Sequence, residues 1–390
     1  WRAWTALAAE HNADNAKVLF DHIDVTNPDA VPAAAAARWL LATQTFSVSA
    51  GKSELSHTGD APSATAVMAL PLGQNLEDTL LLNLVPQNRA VLANDLPVWE
   101  REPESVDSLK AGAERSIAGY ADRYTWRTRS IRLRNQANGR VSTLAFASGV
   151  ENAAKDGIDP MLAYRIDKEH GKLPIQFKER GLWRDFDSLL PDGSKLAPEV
   201  IEHATTLTKD DRARFPHAVM VLGQANNKAK IKFWRQERFA LPEALRSERS
   251  IRSEIHQLLS KAEEGSESLR SALWKFYRHL LIRNERKRED DLSKKEKATL
   301  KKMTDESWPL RHFWSTLEAA FHDVLRQYTM ERDPDDIRRD WLKTVLAALR
   351  DAWARHAAIV STGDARAIRA LVKAKGAIDK HLRTLHDEIQ

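Results

Sequence analysis

The C-terminal part of the chain, residues 243–390, almost lacks the two residue types that interrupt helices. The sequence has 15 glycines and 15 prolines, and only three of the glycines and two of the prolines fall in this part. Because glycine and proline end helices and mark turns, we predict that it is nearly all helical. Its apolar residues recur at spacings of three and four, the period of one helix face. Together these features predict an antiparallel four-helix bundle.

Breaks in the apolar periodicity divide the predicted bundle into its helices. They fall at residues 283–302, 333–336 and 361–364. Asp335 and Thr362 are predicted N-caps, because their side chains can accept hydrogen bonds from free backbone N–H groups. Gly265 marks a position at which the long first helix can kink. The break at 283–302 holds nine basic and five acidic residues, and we interpret it as a flexible charged linker between helices.

Residues 1–242 are mixed in character. The predicted elements are a helix over Pro32–Gln44 and strands over Tyr124–Leu133, Val141–Phe146, Val219–Gly223 and Ile231–Trp234. Asn138-Gly139 stands between two of these strands and is a strong signal for a two-residue hairpin turn. We therefore predict the α+β fold class, with a mixed N-terminal domain over 1–242 and the bundle over 243–390.

The composition is that of a folded protein with a modest positive charge. Hydrophobic residues make up 42% of the chain, charged residues make up 29%, and the formal net charge is +5. Such a charge permits a polyanionic partner without requiring one. No apolar stretch approaches the roughly 20 residues that a membrane-spanning helix needs, so we expect no membrane partner and a cytoplasmic location.

Known catalytic and metal-binding patterns are missing from the sequence. The chain has no cysteine, which excludes a thiol nucleophile and cysteine-ligated metals. Ala50-Gly51-Lys52-Ser53 resembles the end of a phosphate-binding loop, but Phe46 stands where that motif needs a glycine. We therefore predict that the protein is not an enzyme and uses neither a cofactor nor a metal.

The stretch Gln224–Arg235 has the composition of a nucleic-acid contact. It places two asparagines and three lysines in a predicted loop that leads into a strand. Asparagine can hydrogen-bond base edges and lysine can neutralise phosphates, while Ala229 is small enough to let backbone approach a groove. The alternative is a solvated Asn-Asn turn before an edge strand whose lysines discourage aggregation.

A second candidate stretch interleaves arginines with aromatic residues. Arg123, Arg127, Arg129, Arg132 and Arg134 surround Tyr124 and Trp126. Such a pattern can bind nucleic acid. It can equally form the polar side of a strand pair or a contact with another protein.

Several short phrases, in order along nearly the whole chain, resemble one family. They are Leu19-Phe20-Asp21-His22, Arg38-Trp39-Leu40-Leu41, Asn75–Asn83, Pro97–Glu100, Tyr124–Arg127, Asp159-Pro160-Met161, Ala163–Arg165, Trp183–Asp185 and Asn226-Asn227. Together with the helical C-terminus, they resemble CasA, the large subunit of Cascade, the type I-E CRISPR surveillance complex.

The resemblance implies a fold and a role in antiviral defence. It implies a mixed N-terminal domain, a C-terminal four-helix bundle, and about a hundred further residues before Trp1, the length of a domain-sized piece. It also implies binding of the protospacer-adjacent motif (PAM) on double-stranded target DNA, help in opening the duplex, and docking of the CRISPR helicase-nuclease. The implied partners are the Cascade subunits that carry the CRISPR RNA.

The resemblance also implies site residues. The PAM-reading loop corresponds to Asn227, Lys228 and Ala229, with Asn227 in the minor groove and Lys228 as the wedge between base pairs. Lys155 is the candidate for a groove lysine, while Gly51 and Lys52 belong to a loop that is glycine-rich in the family. Leu19 and Phe20 belong to an N-terminal loop near the RNA-bearing core.

The family's wedge is a glutamine in its best-known form, and only Gly51 is glycine in the corresponding loop of this chain. These departures leave an alternative open. The chain can instead be a purely architectural subunit of a nucleoprotein complex that does not read the PAM.

Overall fold

Helices dominate the C-terminal part of the chain, and short strands and helices alternate in the rest. The computed structural model describes residues 1–11, 18, 20–49, 55–56, 59–153, 159–169, 171–227, 230–246, 250–282, 289–328, 332–361 and 365–390. The helices are α1 (Ala33–Phe46), α2 (Leu76–Asn83), α3 (Arg89–Leu92), α4 (Val106–Ala111), α5 (Tyr120–Tyr124), α6 (Glu199–Leu207), α7 (Ile251–Leu281), α8 (Lys294–Asp305), α9 (Trp308–Gln327), α10 (Pro334–Ser361) and α11 (Ala365–Ile389).

The strands are all in the N-terminal part. They are β1 (Arg2–Ala3), β2 (Val31–Pro32), β3 (Ala66–Leu72), β4 (Glu114–Arg115), β5 (Arg129–Asn135), β6 (Arg140–Ser148), β7 (Glu151–Asn152), β8 (Tyr164–Asp167), β9 (Gly171–Pro174), β10 (Ala218–Asn227) and β11 (Lys230–Ala240). Short 3₁₀ segments occur at Trp4–Leu7, Val98–Glu100, Leu182–Leu189, Arg212–Arg214 and Glu243–Arg246. The predicted α+β class is confirmed.

One antiparallel sheet has the order β3-β10-β11, with β10 in the centre. Val219 and Val221 of β10 and Val67 and Ala69 of β3 are fully buried on one face, as expected for a sheet that covers a core. Gly223 of β10 lies opposite Val67. A Cβ atom at this glycine would stand 2.0 Å from the carbonyl oxygen of Ala66, so no other residue fits where β10 and β3 approach.

A second sheet joins β1, β2 and β5 to β6. The β5–β6 hairpin has Asn138-Gly139 in its turn, with Gly139 in the left-handed region at φ +71°. The predicted two-residue connection is wrong, because β5 ends at Asn135 and β6 begins at Arg140. The backbone N–H of Gln136 donates to the carbonyl of Arg140 over 2.8 Å and closes the turn. The predicted strand over Tyr124–Leu133 begins too early, because Tyr120–Tyr124 forms helix α5 and β5 starts at Arg129.

The four long helices α7, α9, α10 and α11 pack together in the C-terminal part. Their facing apolar side chains are fully buried and include Leu269, Phe313, Val345 and Ile378. Helix α7 is continuous through Gly265, where the sequence predicts a possible kink. A Cβ atom there would lie 3.2 Å from Cζ of Phe313 and 3.4 Å from Cγ1 of Val345. Gly265 therefore allows α9 and α10 to pack closely on α7.

The charged stretch 283–302 is not a simple linker, since residues from Lys294 onward form α8. Ser293 and Glu296 make a reciprocal capping box at its N-terminus, and Leu300 is buried. A capping box satisfies two free backbone donors at once, which stabilises a short, highly charged helix. The predicted N-cap at Asp335 is also wrong, because the Asp333 carboxylate accepts from the backbone N–H of Asp335 over 2.8 Å. Thr362 lies outside the described residues.

A single apolar core runs from the β3-β10-β11 sheet into the helical part. Phe186, in the 3₁₀ segment, lies between Phe239 of β11 and Phe321 of α9, with ring centroids 5.2 and 5.7 Å away. At the surface beside this contact, the Arg184 guanidinium forms an ion pair with Glu263 of α7 and stacks 3.4 Å over the ring of Trp314. Residues on the two sides of position 242 therefore share one interior.

Helices suited to cross a membrane do not occur in the described ranges. Over the same part of the chain, histidine and carboxylate side chains nowhere gather in threes as a metal ion would require.

Candidate nucleic-acid interface

Most of the residues that the sequence singled out are in segments that the structure describes only in part. Leu19, Gly51, Lys52, Lys155, Lys228 and Ala229 lie outside the described residues. Asn227 is described by its backbone alone, as the last residue of β10. Phe20 is described, and its side chain is 83% exposed. What the structure shows is therefore which contacts fix the described residues on either side of these positions.

The β10–β11 hairpin carries the predicted PAM-reading loop. Asn227 pairs with Lys230, so only two residues connect the strands. The register shifts between Ala225 and Asn226, a β-bulge that increases the local twist of the strand. Gln224 and Ala225 lie in the strand and are buried, whereas the sequence predicted that the loop begins at Gln224. The loop is thus shorter and its support longer than predicted.

Gln224 ties this hairpin to a second candidate loop. Its Nε2 donates to the carbonyl oxygens of Phe46, over 2.7 Å, and of Ala64, over 2.6 Å. Its Oε1 accepts a hydrogen bond of 3.1 Å from Nε1 of Trp234 on β11. Because Phe46 and Ala64 stand at the two ends of the segment that contains Gly51 and Lys52, one buried amide fixes that segment against the hairpin.

The segment 47–63 is closed at its base by the backbone. The N–H of Ala61 donates to the carbonyl of Ser47 over 2.8 Å, and that of Ser63 donates to Thr45 over 3.0 Å. This ladder holds the two ends of the segment side by side. The described ends of the segment that contains Gly51 and Lys52 therefore form a closed base.

The buried Arg129 guanidinium reinforces the same base. Nη2 donates to Val48 and Nη1 to Gly59, each over 2.9 Å. Burial lowers the pKa of Arg129, while the nearby Asp60 carboxylate raises it. Carbonyl partners on both sides of the segment satisfy the donors of a cation that is 2% exposed. Arg129 thus joins the two ends of the segment from inside the protein.

A buried ion pair anchors the segment that contains Lys155. Asp159 directly follows residues 154–158, and its carboxylate accepts from Nε of Arg123 over 2.9 Å and from the Tyr124 hydroxyl over 2.8 Å. Nη2 of Arg123 also donates to the carbonyl of Pro62, over 2.8 Å, at the base of the 47–63 segment. Burial, and then the Asp159 charge, raise the pKa of Tyr124, which keeps its hydroxyl as a donor.

The other end of the Lys155 segment is fixed by backbone contacts. The N–H of Val150 donates to Arg127 over 2.9 Å, and the N–H of Ala153 donates to Arg115 over 3.0 Å. The indole Nε1 of Trp126 donates to the carbonyl of Val150 over 3.2 Å. The bases of the 47–63, Lys155 and hairpin segments are all joined, directly or through Arg129 and Gln224, to the stretch 123–129. We name these joined bases the loop platform.

The arginine-rich stretch is therefore mainly part of the loop platform. Arg123, Trp126 and Arg129 are nearly fully buried, so none of the three sequence-based interpretations describes them. Arg132 and Arg134 are exposed on β5 and fit the polar side of a strand. The Arg134 guanidinium stacks 4.5 Å over the ring of Trp1.

An apolar cavity of about 430 Å³ lies beside the hairpin. Its walls include Trp39 and Phe46 of α1, and Ile231 and Trp234 of β11. Trp234 is 53% exposed, so the cavity opens to solvent along an aromatic edge. Sequence reasoning placed Gln224, Arg129 and Trp234 in candidate contact stretches but missed that Gln224 and Arg129 are buried supports of the site. The only signal for the role of Gln224 was a polar residue after an apolar strand.

Phe20 is the one predicted contact residue whose conformation can be read. Its φ is +66°, a left-handed value that is uncommon outside glycine and costly for a bulky residue. The backbone N–H of Asp21 donates to the carbonyl of Val18 over 3.3 Å across this turn. The turn directs a large apolar side chain into solvent.

Comparison with known proteins agrees with the resemblance drawn from the sequence. The family described as CRISPR-associated protein Cse1 matches residues 2–352. The CRISPR-associated protein CasA/Cse1 of Thermus thermophilus is 30% identical over 398 residues, covering 99% of this chain and 76% of that protein.

Solved structures agree as well. The crystal structure of Thermus thermophilus CasA matches with a TM-score of 0.80 and 26% identity, over 98% of this chain and 76% of that one. A chain of a CRISPR RNA-guided surveillance complex shares the fold, with a TM-score of 0.64 and 19% identity over 97% of this chain and 73% of that one. From the extent of the family match and the identity to the Thermus thermophilus protein, this chain belongs to the CRISPR-associated Cse1 (CasA) family.

Proposed function

We propose that this chain is a non-catalytic subunit of a CRISPR RNA-guided Cascade complex that recognises the PAM on double-stranded DNA and helps to open the duplex. The observation that carries the proposal is the loop platform. Three segments that sequence resemblance assigns to DNA contact are joined at their bases by Gln224, Arg129 and the Arg123–Asp159 pair. Separate loops on a flexible surface would not need such a shared support.

The hairpin has a suitable shape for the minor groove. Only two residues, Lys228 and Ala229, connect the paired Asn227 and Lys230, and the minor groove of B-DNA is about 6 Å wide. The groove offers a degenerate pattern of acceptors plus the guanine amino group. One asparagine, Asn227, and a small neighbour suit a tolerant reading of that pattern. In this proposal Lys228 is the wedge, while Lys155 and Lys52 hold the DNA backbone.

A wedge must be rigidly supported to part a base step, because unstacking costs a few kcal/mol. The β10–β11 hairpin is the edge of a three-stranded sheet whose other strand, β3, lies on the apolar core. Gln224 adds hydrogen bonds to two further segments just below the tip. These contacts attach the end of the hairpin rigidly to the rest of the protein. The rest of the target sequence would be read by pairing with the guide RNA.

Assembly with the RNA-bearing subunits and docking of the helicase-nuclease complete the proposal. Exposed Phe20, held at positive φ, is the best described anchor for such a partner, since strained exposed residues often mark contact sites. The alternative is an architectural subunit without PAM reading, and the lysine at the wedge position favours it. A lysine attracts phosphates of any sequence.

The test is duplex binding by the reconstituted complex, with and without this chain, on targets that differ only in the PAM flank. We expect the chain to add affinity that depends on the flank, and Asn227→Ala and Lys228→Ala to remove most of that gain. Lys232→Ala is the matched control, because Lys232 lies on the same hairpin but pairs with Glu179 over 3.4 Å. A gain that is equal on both flanks would favour the architectural alternative, as would equal losses from Lys228→Ala and Lys232→Ala.

A further inference from the structure

Helix α11 carries a row of basic side chains on its outer face. Five basic residues and one glycine follow one another at spacings of three, four, three, four and three, namely Arg366, Arg369, Lys373, Gly376, Lys380 and Arg383. Such spacing places all six residues along one side of a helix. The buried residues of α11 lie on the opposite side and include Ala370, Ala374, Ile378 and Leu385. We name the six positions from Arg366 to Arg383 the basic row.

The basic row differs from the charged surface of the neighbouring helix. On α10, basic residues form ion pairs with carboxylates one turn away, namely Arg339 with Asp336, Lys343 with Asp340 and Arg355 with Asp351. Within the described residues, no carboxylate forms an ion pair with Lys380 or with the arginines of the basic row. In sequence, Arg366 is two residues from Asp364, and Arg383 is one turn from Asp379 and Asp387.

The arrangement of charges in the basic row destabilises helix α11. Like charges three or four residues apart repel each other. The first turn of α11 has no acidic residue, so Arg366 and Arg369 also stand at the end of the helix that disfavours cations. An external polyanion would relieve the repulsion among these cations.

Gly376 adds an independent observation. Glycine weakens a helix interior relative to alanine. Buried glycines are explained by close packing, but a Cβ atom at Gly376 would meet nothing within 4 Å. The residue therefore leaves a gap in the middle of the basic row, between Lys373 and Lys380. Such a gap lets the backbone of a ligand lie close to the helix.

We propose that the basic row of α11 binds the phosphate backbone of single-stranded DNA. Its two ends are 17 residues apart, about 26 Å at the rise of a helix. The row is straight, and a duplex strand winds around its axis once in about 34 Å. A duplex strand therefore leaves the row after a few phosphates, while a flexible single strand can follow it throughout. Without an aromatic residue in the row, binding will not depend on base sequence.

A neighbouring residue extends the same positive surface. Arg350 of α10 lines a shallow cavity together with Arg383, His386 and one carboxylate, Asp379, of α11. The strand would leave the C-terminal end of the row toward α10. The proposal for α11 is argued from the charges and packing of this helix alone, and it stands whether or not the hairpin reads a PAM.

The experiment measures binding of fluorescent oligothymidine of about 30 nucleotides to the full chain, at salt concentrations from about 50 to 200 mM. This probe has no PAM and needs no guide RNA. Each phosphate contact adds about 0.7 to the slope of log affinity against log salt for a single strand. We expect the triple variant Arg366→Gln, Arg369→Gln, Lys380→Gln to reduce this slope by about 2.

The matched control is the triple variant Arg339→Gln, Lys343→Gln, Arg355→Gln, which removes the same net charge from α10. Equal loss in both variants would overturn the proposal in favour of general charge. An equal loss on duplex DNA of the same length would overturn the choice of a single strand. Competition by poly-L-glutamate as effective as that by unlabelled oligothymidine would indicate an acidic protein partner instead.

Gly376→Gln separates close approach from charge. It keeps the net charge and favours the helix, so folding is not at risk. We expect weaker binding of oligothymidine with an unchanged salt slope. Unchanged affinity would show that the strand does not pass close to the helix at this position and would contradict that part of the proposal.

Discussion

Gln224 uses every polar atom of its side chain inside the protein. Its amide nitrogen serves two carbonyls and its amide oxygen serves the indole of Trp234. Gln224 is only 6% exposed, but its burial costs little free energy because these polar groups are paired. Loss of the side chain leaves the carbonyls of Phe46 and Ala64 and the Trp234 indole without that partner. The hairpin and the 47–63 segment then lose their direct link.

Gln224→Ala should therefore reduce both stability and DNA binding. We expect the free energy of unfolding to fall by about 1–3 kcal/mol, the penalty of unpaired buried polar groups. Urea unfolding followed by circular dichroism would measure it. The control is Gln136→Ala, since Gln136 is exposed in the β5–β6 turn, and its change should stay within about 0.5 kcal/mol. A Gln224→Ala protein with wild-type stability and flank-dependent binding would show that the link is dispensable.

Single residues also show where sequence reasoning ended. Arg129 and Arg123 were read as surface cations because arginine is rarely buried without partners. Their partners are Val48, Gly59 and Asp159, which lie far away in sequence. No local pattern can indicate such pairing, whereas the Asn138-Gly139 turn was predictable because its cause is local.

Individual helices show the same difference between local features, which the sequence predicts, and long-range contacts, which it does not. The periodicity of α7, α9, α10 and α11 was sufficient to predict them, since one repeating face defines a helix. Helix α8 was missed because its charge dominated the interpretation, although Ser293 and Glu296 at the capping-box spacing were visible. The loop platform was not predictable in this way. It depends on contacts among elements that are separate in sequence.

The two glycines within long helices should respond in opposite ways to the same substitution. Gly265→Leu places a side chain against Phe313 and Val345, and we expect a loss of about 1–3 kcal/mol in the free energy of unfolding from overpacking. Gly376→Leu meets only open space, and we expect a gain of up to about 1 kcal/mol from helix propensity. Thermal and urea unfolding would measure both. The same sign for both variants would contradict the packing role assigned to Gly265.

The whole molecule is organised around the core that crosses from the sheet into the long helices. Phe321 packs with Trp183 and Phe186, and Phe186 packs with Phe239. The Trp341 indole donates to the carbonyl of Leu258 over 2.7 Å between α10 and α7. Separating the sheet from the helices would expose these rings to water. Burial of large aromatic side chains is among the strongest contributions to folding. We therefore expect sheet and helices to unfold together.

His356 provides a way to test whether the sheet and the long helices unfold together. It is 8% exposed on α10, with its ring 4.8 Å from Phe276 and 5.7 Å from Trp353. Burial lowers the pKa of His356 below its ordinary 6.5. The unfolded chain therefore takes up a proton near pH 6.5 while the folded chain does not. The contribution of His356 to the free energy of unfolding is fully present above pH 6.5 and declines as the pH falls toward the pKa of His356 in the folded chain.

Acidification from about pH 7.5 to about pH 5.5 should thus lower the urea midpoint. His356→Phe, which has no titrating ring, should reduce that pH dependence. Because one core joins the two parts, helix content by circular dichroism and tryptophan fluorescence should give the same midpoint at each pH. A fluorescence midpoint that stays constant while the helical signal moves would show that the long helices unfold alone. In that case the loop platform would keep its form when the helices are lost, and the basic row of α11 would act independently of the hairpin.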